Sequence, residues 1–342
     1  MRLVWLAVLL LSLGSPLRAE WEVVSVEGRD YVTLASLGTD FGLGPATALA
    51  GELTLTGTNA SLVVKAGSRQ AIVNGVRHWL SFPTRMQGGV GLVSRVDAER
   101  TIKPAMQPAS VKGFRTVTTV VLDPGHGGYD RGARSSLGVE KDYALDVVNR
   151  VRSRLEKAGL KVVQTRLGDT FIPLGNRPAV ARKYAGSIFV SIHFNSGDTN
   201  PAANGLEIFA ISPLGAPPTG QREPRARDRE RETGHALEPV NFVLANTIYH
   251  ALMGKLSSFD RGVKRARFVV LKQATAPAVL IEGGFLTNAT EATRIASPIW
   301  RDAYADAIVA GILEYKKLAE QGAAPKTVSD YGKTGTVVFV PE

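Results

Sequence analysis

Four side chains capable of metal binding or proton transfer stand at the ends of apolar runs or at the start of a helical one. His126 lies in "VVLDPGHGGYD" (120–130), and His193 follows "SIFVSI". Glu282 follows "AVLI", and Glu140 opens the stretch "EKDYALDVV". Ligand sites in open α/β sheets lie at the carboxyl ends of strands. The spacing therefore predicts that two imidazoles and two carboxylates meet at one edge of a sheet.

Two histidines and a carboxylate are typical of a catalytic zinc site, where three protein ligands leave a fourth position for water. We predict that His126, Glu140 and His193 bind one Zn²⁺. A helix start keeps the Glu140 carboxylate ionised. Glu282 is predicted to take a proton from water and pass it to a leaving amine. The glycines beside His126 and Glu282 are interpreted as room for the metal and for a substrate backbone.

Each of these residues also has a structural interpretation. His126 could occupy an ordinary turn, and His193 could be a core histidine that donates to a backbone carbonyl. Glu140 could be an exposed helix start. Asn195, two residues after His193, is predicted either to contact substrate or to cap a turn.

Other polar residues receive structural predictions. We favour an ion-paired scaffold beneath the site for Arg166, Asp169 and Arg177. His78 is predicted to lie on the surface, and His250 on a helix face.

From residue 117 onward, apolar runs alternate with helical stretches. The runs lie at 118–122, 161–165, 187–192, 206–211, 267–271 and 278–281. Helices are predicted at 141–157, 172–184, 240–257 and 298–318. This alternation predicts an α/β fold with a mainly parallel six-stranded sheet and helices on both faces.

The pattern divides the chain into segments. Residues 20–103 contain short alternating runs and predict a small β-rich or α+β domain. Residues 104–116 suit a linker, and residues 117–318 form the predicted sheet domain. This domain contains a long polar insertion at 213–239, and residues 319–342 form a C-terminal tail.

Residues 1–19 have the basic start, short apolar core and small terminal residue of a secretory signal peptide. No later run reaches the roughly 18 apolar residues of a transmembrane segment. Removal of the leader leaves 39 basic against 31 acidic residues. Such a basic surface suits an anionic partner, and export argues against nucleic acid. The chain has no cysteine. We therefore predict a secreted protein, periplasmic in preference to extracellular.

The motifs resemble one enzyme family. Over about 117–318 they occur in the order "LDPGHGGYDRGA", "GVEKDYALDV", "VVQTRLGD", "FVSIHFNS", "NGLEIFAIS", "GVKRARFVVLK" and "PAVLIEGGFLTNATEA". This series is similar to the zinc-dependent N-acetylmuramoyl-L-alanine amidases of the amidase_3 class. The resemblance implies zinc ligands at His126, Glu140 and His193, and a catalytic Glu282. It implies hydrolysis of peptidoglycan at the amide between N-acetylmuramic acid and L-alanine. Arg131 departs from the proline of many relatives.

Two further resemblances concern other segments. The stretch "GRDYVTLASLGTDFG…VNGVRHWLSFP" resembles the N-terminal-like domain of copper amine oxidases, which implies positioning or wall attachment without copper. Some amidase relatives carry a segment that covers the zinc near the place of the 213–239 insertion. Its acids and His235 could reach a metal. This suggests a latch that an activator protein would release.

Two other functions stay open from the sequence. A zinc peptidase or an amide deacylase would use the same metal chemistry on a different amide. A wall-binding regulator with a dead site is the third interpretation, although the chain retains all four proposed site residues.

Overall fold

The computed structural model describes residues 21–333 and 337–340, so the predicted signal peptide at 1–19 lies outside the described residues. The strands of the first segment are β1 (Val23–Val26), β2 (Arg29–Thr33), β3 (Thr47–Leu49), β4 (Glu52–Thr56), β5 (Ser61–Lys65), β6 (Gln70–Val73), β7 (Val76–Trp79), β8 (Arg85–Gln87) and β9 (Val90–Ser94). The later strands are β10 (Thr119–Pro124), β11 (Arg134–Ser135), β12 (Gly138–Val139), β13 (Lys161–Gln164), β14 (Ser187–Asn195), β15 (Leu206–Ile211), β16 (Asp260–Ala266) and β17 (Ala278–Phe285). The α-helices are α1 (Leu34–Phe41), α2 (Arg95–Asp97), α3 (Lys103–Met106), α4 (Glu140–Lys157), α5 (Asn176–Ala179), α6 (Glu238–Lys255), α7 (Val269–Lys272), α8 (Ala289–Ala296) and α9 (Pro298–Gln321).

One large mixed sheet organises the described chain, in the strand order β13-β10-β14-β17-β15-β16-β7-β6-β5-β4-β3. Strands β13, β10, β14 and β17 are parallel to one another. Strand β15 is antiparallel to β17, and β16 is parallel to β15. A parallel bridge between Val263 and His78 joins β16 to the antiparallel strands β7 to β3.

The predicted six-stranded sheet is therefore part of an eleven-stranded one. Strands β3 to β7 of the predicted small segment 20–103 continue the sheet beyond β16, so the predicted linker does not separate two sheets. The remaining strands of that segment, β1, β2, β8 and β9, form a separate antiparallel sheet against which α1 packs.

The core lies on both faces of the large sheet. Helices α4, α6 and α9 cover one face, and the short α5 and α7 lie against the other. Helix α4 forms because its apolar residues recur at helical spacing and bury one stripe: Ala144, Val147, Val148, Val151 and Leu155. Strands β10 and β14 are almost entirely buried, as expected of central parallel strands.

Two predicted elements were wrong. The apolar run 267–271 contains helix α7, and the neighbouring strand is β16 at Asp260–Ala266. In β16, buried Val263 and Ala266 are interspersed with Arg261 and Lys264, so the strand lacks an apolar run. The predicted helix 172–184 is reduced to α5 and a following 3₁₀ turn.

His78 is buried rather than on the surface. Its Nε2 lies 2.8 Å from Asn246 Oδ1 in α6, and its Nδ1 lies 3.0 Å from the carbonyl of Val76. A histidine of the first segment is thus part of the interface with the helical layer. Within the described residues, no helix is long and apolar enough to cross a membrane.

Candidate metal centre

His126, Glu140 and His193 form a compact cluster at one edge of the large sheet. Each offers a ligand atom, and these atoms lie within 4.8 Å of one another. His126 Nε2 is 3.0 Å from Glu140 Oε2, and His193 Nδ1 is 2.9 Å from Glu140 Oε1. The backbone amides of Ala133 and Phe194 also donate to the Glu140 carboxylate. The carboxylate is therefore held from four directions before any ligand binds.

The backbone at His126 is unusual because its φ is 58°, in the left-handed region that non-glycine residues rarely adopt. Two buried arginines hold this loop. Arg177 donates to the carbonyls of Pro124 (2.9 Å) and His126 (2.8 Å), and Arg166 donates to the carbonyl of Gly125 (2.7 Å). Of the predicted ion-paired scaffold, Arg177 forms an ion pair with Asp123, whereas Arg166 holds the loop by hydrogen bonds to carbonyls.

Asp123 and Asp169 connect this scaffold to its surroundings. Asp123 pairs with Arg177 at 3.0 Å inside the protein. Asp169 accepts from the Gly128 amide at 2.7 Å and from Lys141 Nζ at 2.6 Å. The loop that carries His126 is thus bound to two neighbouring segments.

The glycines near the site serve packing between protein groups, which corrects their interpretation as free space. A Cβ on Gly125 would lie 2.4 Å from His193 Cε1, and one on Gly132 would lie 2.4 Å from Glu140 Oε2. A Cβ on Gly283 would meet the Tyr304 ring at 2.7 Å. These glycines let the side chains of the cluster approach one another.

The charges of the cluster stabilise each other. Burial acts to raise the pKa of Glu140, but hydrogen bonds from His126 and His193 lower it well below its usual range. Burial acts to lower the pKa of His126, but the Glu140 and Asp130 carboxylates raise it. Glu140 is consequently an ionised, ligand-competent carboxylate at neutral pH.

Glu282 lies directly beside the cluster, because it is the register partner of His193 on the neighbouring strand. Its Oε2 is buried and has no hydrogen-bond partner among the described residues. Burial and the nearby charges of Glu140 and Glu207 raise its pKa well above the usual range. An unpartnered carboxyl with a raised pKa can accept or hold a proton near neutral pH.

Three residues near Glu282, which are Glu207, Arg261 and Lys264, were not identified from the sequence. Glu207 is the register partner of Glu282 on β15, and it accepts from Asn195 (2.7 Å), Arg261 (2.7 Å) and Lys264. Glu207 could have been identified because it is a lone glutamate inside the apolar run "NGLEIFAIS". Asn195 thus binds Glu207 in this structure, and its predicted contact with substrate stays a prediction.

The 213–239 insertion lies away from the cluster. Strand β15 runs antiparallel to β17, with Glu207 opposite Glu282, so the insertion leaves β15 at the opposite edge of the sheet. Asp228 of the insertion is buried and pairs with Arg267 at 3.0 Å. His235 accepts from the Glu232 amide at 2.8 Å. The predicted reach of these residues to the metal is therefore wrong, because the reversed strand carries the insertion away.

The three side chains of the cluster form a group that could hold a metal ion. Two imidazoles and one carboxylate are a donor set that zinc prefers, and their atoms are spaced as ligands of one small cation. The Glu140 carboxylate is ionised, and the two rings are held in a T-shaped arrangement with centroids 5.0 Å apart.

The sequence of the chain is similar to those of known amidases. The family described as Amidase_3, N-acetylmuramoyl-L-alanine amidase, matches residues 120–314. The chain is 38% identical over 220 residues to the N-acetylmuramoyl-L-alanine amidase AmiA of Escherichia coli K12, across 57% of this chain and 75% of that protein. It is 36% identical to AmiA of Salmonella typhimurium, across 66% of this chain and 86% of that protein. The solved amidase AmiC2 of Nostoc punctiforme is 35% identical, with 58% and 96% coverage and a TM-score of 0.47.

Proposed function

Since this chain belongs to the Amidase_3 family of N-acetylmuramoyl-L-alanine amidases, we propose that it is a zinc-dependent hydrolase of peptidoglycan. The bond cleaved is the amide between N-acetylmuramic acid and the L-alanine of the stem peptide. The observation that supports this proposal most directly is the three-residue cluster with an unpartnered carboxyl on the adjacent strand.

His126, Glu140 and His193 would hold the zinc ion. A zinc ion bound there supplies Lewis acidity and lowers the pKa of a coordinated water to about 7. Glu282 then acts as general base and general acid. It takes the proton of the attacking water and returns it to the nitrogen of the leaving L-alanine.

The environment of Glu282 supports both halves of this role. Its buried, unpartnered Oε2 leaves one oxygen free to receive the proton. Its raised pKa means that the proton is retained long enough to be delivered to the amine. Glu207 stands beside it as a second carboxylate, and Arg261 and Lys264 hold Glu207 in place.

The roles of the other segments are proposals that come from the sequence. Residues 1–19 direct export, with the periplasm as the working compartment. Residues 20–103, similar to the copper amine oxidase N-terminal-like domain, position the enzyme on the wall. An activator protein could act on the insertion 213–239. It would change how the insertion docks on the sheet, and it would not uncover the cluster. We propose no nucleic-acid partner.

The test is a digest of purified peptidoglycan by the zinc-loaded full chain, with products resolved by mass. Amidase action releases intact stem peptides and leaves peptide-free glycan. The Glu282→Gln variant should lose about 100- to 10,000-fold in rate while it retains zinc, because general acid–base catalysis is worth that much. The His126→Ala variant should lose the zinc as well.

Other outcomes distinguish the remaining functions. Cleavage within the stem peptide would identify a peptidase, and release of acyl groups would identify a deacylase. A zinc-loaded wild type that binds the wall without cleaving it would identify a regulator. Equal rates in wild type and Glu282→Gln would remove Glu282 from its proposed role.

A further inference from the structure

A basic cleft of about 730 Å³ lies along strand β16, where Arg261 and Lys264 contact Glu207, the register partner of Glu282. Its cationic lining comes from three separate parts of the chain. They are Arg69 and Arg77 of the first segment, Arg222 of the insertion, and Arg261 and Lys264 of β16. Trp79 and Phe209 provide aromatic surface in the same cleft. We propose that this basic cleft binds the carboxylate-bearing peptide of the substrate, an inference that rests on the proposed function.

Register pairs and side-chain contacts link the basic cleft to the metal centre across neighbouring strands. His193 pairs with Glu282, and Glu282 pairs with Glu207. Glu207 contacts Lys264, whose Nζ lies 5.7 Å from the centroid of the Trp79 ring. This series of pairs and contacts therefore crosses the neighbouring strands β14, β17, β15, β16 and β7, with no helix between them.

The distance suits a peptide. Strand β16 is three strands from β14, or about 14 Å at the usual spacing of about 4.8 Å. An extended chain spans about 3.3–3.6 Å per residue, so about four residues cover that distance. A peptide whose first amide lies at the metal centre would place its third and fourth residues over the basic cleft.

The charges in the cleft favour an anion. Arg261 and Lys264 share one carboxylate, Glu207, whose Oε2 accepts from both. Arg222 is exposed and forms no ion pair with the part of the chain that the structure describes. Arg77 is buried, and its Nε has no hydrogen-bond partner among the described residues. Asp260 is the acidic group near Arg77. Because Arg261 and Lys264 share Glu207 and Arg222 pairs with no acid of the described residues, positive charge remains available to an anion.

The aromatic groups and the sheet edge give the basic cleft its shape. Trp79 Nε1 donates to the carbonyl of Arg261 at 2.8 Å, which fixes the ring beside β16. Thr219, at the entrance to the cleft, donates its amide to the Arg265 carbonyl at 2.9 Å. The insertion thus forms one wall of the basic cleft, which gives this segment a function distinct from a metal latch.

The experiment compares two synthetic muramoyl peptides of one sequence. One carries free carboxylates on its third and fourth residues, and the other carries the corresponding amides. The zinc-loaded full chain should show a kcat/KM about tenfold higher on the free carboxylates, since a charge-assisted hydrogen bond is worth at least that factor. The preference should weaken as salt is added.

Two matched variants place the effect. Arg222→Glu should abolish the preference by lowering kcat/KM on the peptide with free carboxylates. Arg231→Glu is the control, because Arg231 is an exposed arginine of the same insertion outside the cleft lining. Lys264→Gln should also reduce the preference. A preference that survives both Arg222→Glu and Lys264→Gln overturns the proposal.

The outcomes separate this inference from the proposed function. Equal hydrolysis of both peptides by the wild type overturns the basic cleft and leaves the amidase intact. Hydrolysis of neither peptide by the zinc-loaded wild type overturns the proposed function. In that case, calorimetric binding of the free acidic peptide to wild type, but not to Arg222→Glu, supports the basic cleft as an anion site, and equal binding to both overturns it.

Discussion

Arg166 and Arg177 hold the main chain on which His126 stands. A non-glycine residue with positive φ costs about 1–3 kcal/mol and persists only where its surroundings impose the conformation. Here the two guanidinium groups impose the conformation, because they donate hydrogen bonds to consecutive carbonyls of the loop. Arg177 also pairs with the buried Asp123 carboxylate. The position of one proposed metal ligand thus depends on charged residues outside the cluster.

The missing side chain of Gly125 is a requirement of the cluster, and Gly125→Ala tests it. The added Cβ would lie 2.4 Å from His193 Cε1, so the ring must shift out of the cluster. We expect zinc affinity to fall at least tenfold and hydrolysis to fall with it, because small displacements of catalytic groups are costly. The measurements are zinc content after dialysis and the rate of peptidoglycan cleavage.

Gly168→Ala is the matched control, since a Cβ there meets nothing within 4 Å. Zinc content and activity should equal those of the wild type. Retention of zinc by Gly125→Ala would show that the His193 ring can move without harm to the centre.

The residues of the centre were predictable to different degrees. His126 follows β10, and His193 and Glu282 lie toward the carboxyl ends of β14 and β17, which parallel strands bring to one edge. Glu140 was indicated by the helix that begins at that residue. Glu207 and the cationic residues of β16 could not be placed, because their position depends on the reversed direction of β15. Nothing in the local sequence of β15 indicates that direction.

The reversal of β15 has consequences at the scale of elements. It brings Glu207 beside Glu282 and sends the insertion to the far edge of the sheet. It also makes β16 antiparallel to β17 in direction, so that polar residues of β16 lie near the centre. The hydrophobic pattern predicted most strands within a few residues, but it misplaced β16 because alternating basic residues mask its buried face.

The insertion is expected to be a docked element, which Asp228→Ala tests. Removal of one partner from a buried ion pair leaves Arg267 uncompensated and destabilises by about 3–5 kcal/mol. We expect faster tryptic cleavage within 213–239 and a lower melting temperature. Specific activity per folded molecule should not rise, because the insertion does not cover the cluster.

Glu230→Ala is the control for this change, as Glu230 is an exposed acid two residues away. It should leave proteolysis and melting unchanged. A rise in activity with Asp228→Ala alone would restore the latch hypothesis.

At the scale of the whole molecule, the first segment and the later layers are parts of one packed body. Strand β16 pairs with β7 in the large sheet, and His78 of β7 forms a hydrogen bond with Asn246 of α6. His250, in the same helix, is also buried. Burial lowers the pKa of His78 to about 4 and the pKa of His250 to about 3. Two neutral histidines therefore lie in or beside the contact between segments.

These histidines should make the fold sensitive to mild acid. Their folded pKa values lie below the ordinary value of 6.5, so the unfolded chain binds more protons in between. Stability is complete above about pH 6.5 and falls as the pH drops toward about 4. Each histidine contributes a loss of about 1.4 kcal/mol per pH unit in that window.

His250→Leu isolates one of these contributions. His250 Nδ1 has no hydrogen-bond partner within the described residues, so leucine removes a buried titrating group without breaking a bond that the structure shows. Urea unfolding between about pH 6.5 and pH 5 should show the variant losing about 1.4 kcal/mol less per pH unit than the wild type. Comparison of the two chains cancels the carboxylates and the histidines of the metal centre, which both proteins share. Parallel stability curves across that range would show that His250 binds its proton equally in the folded and unfolded chain.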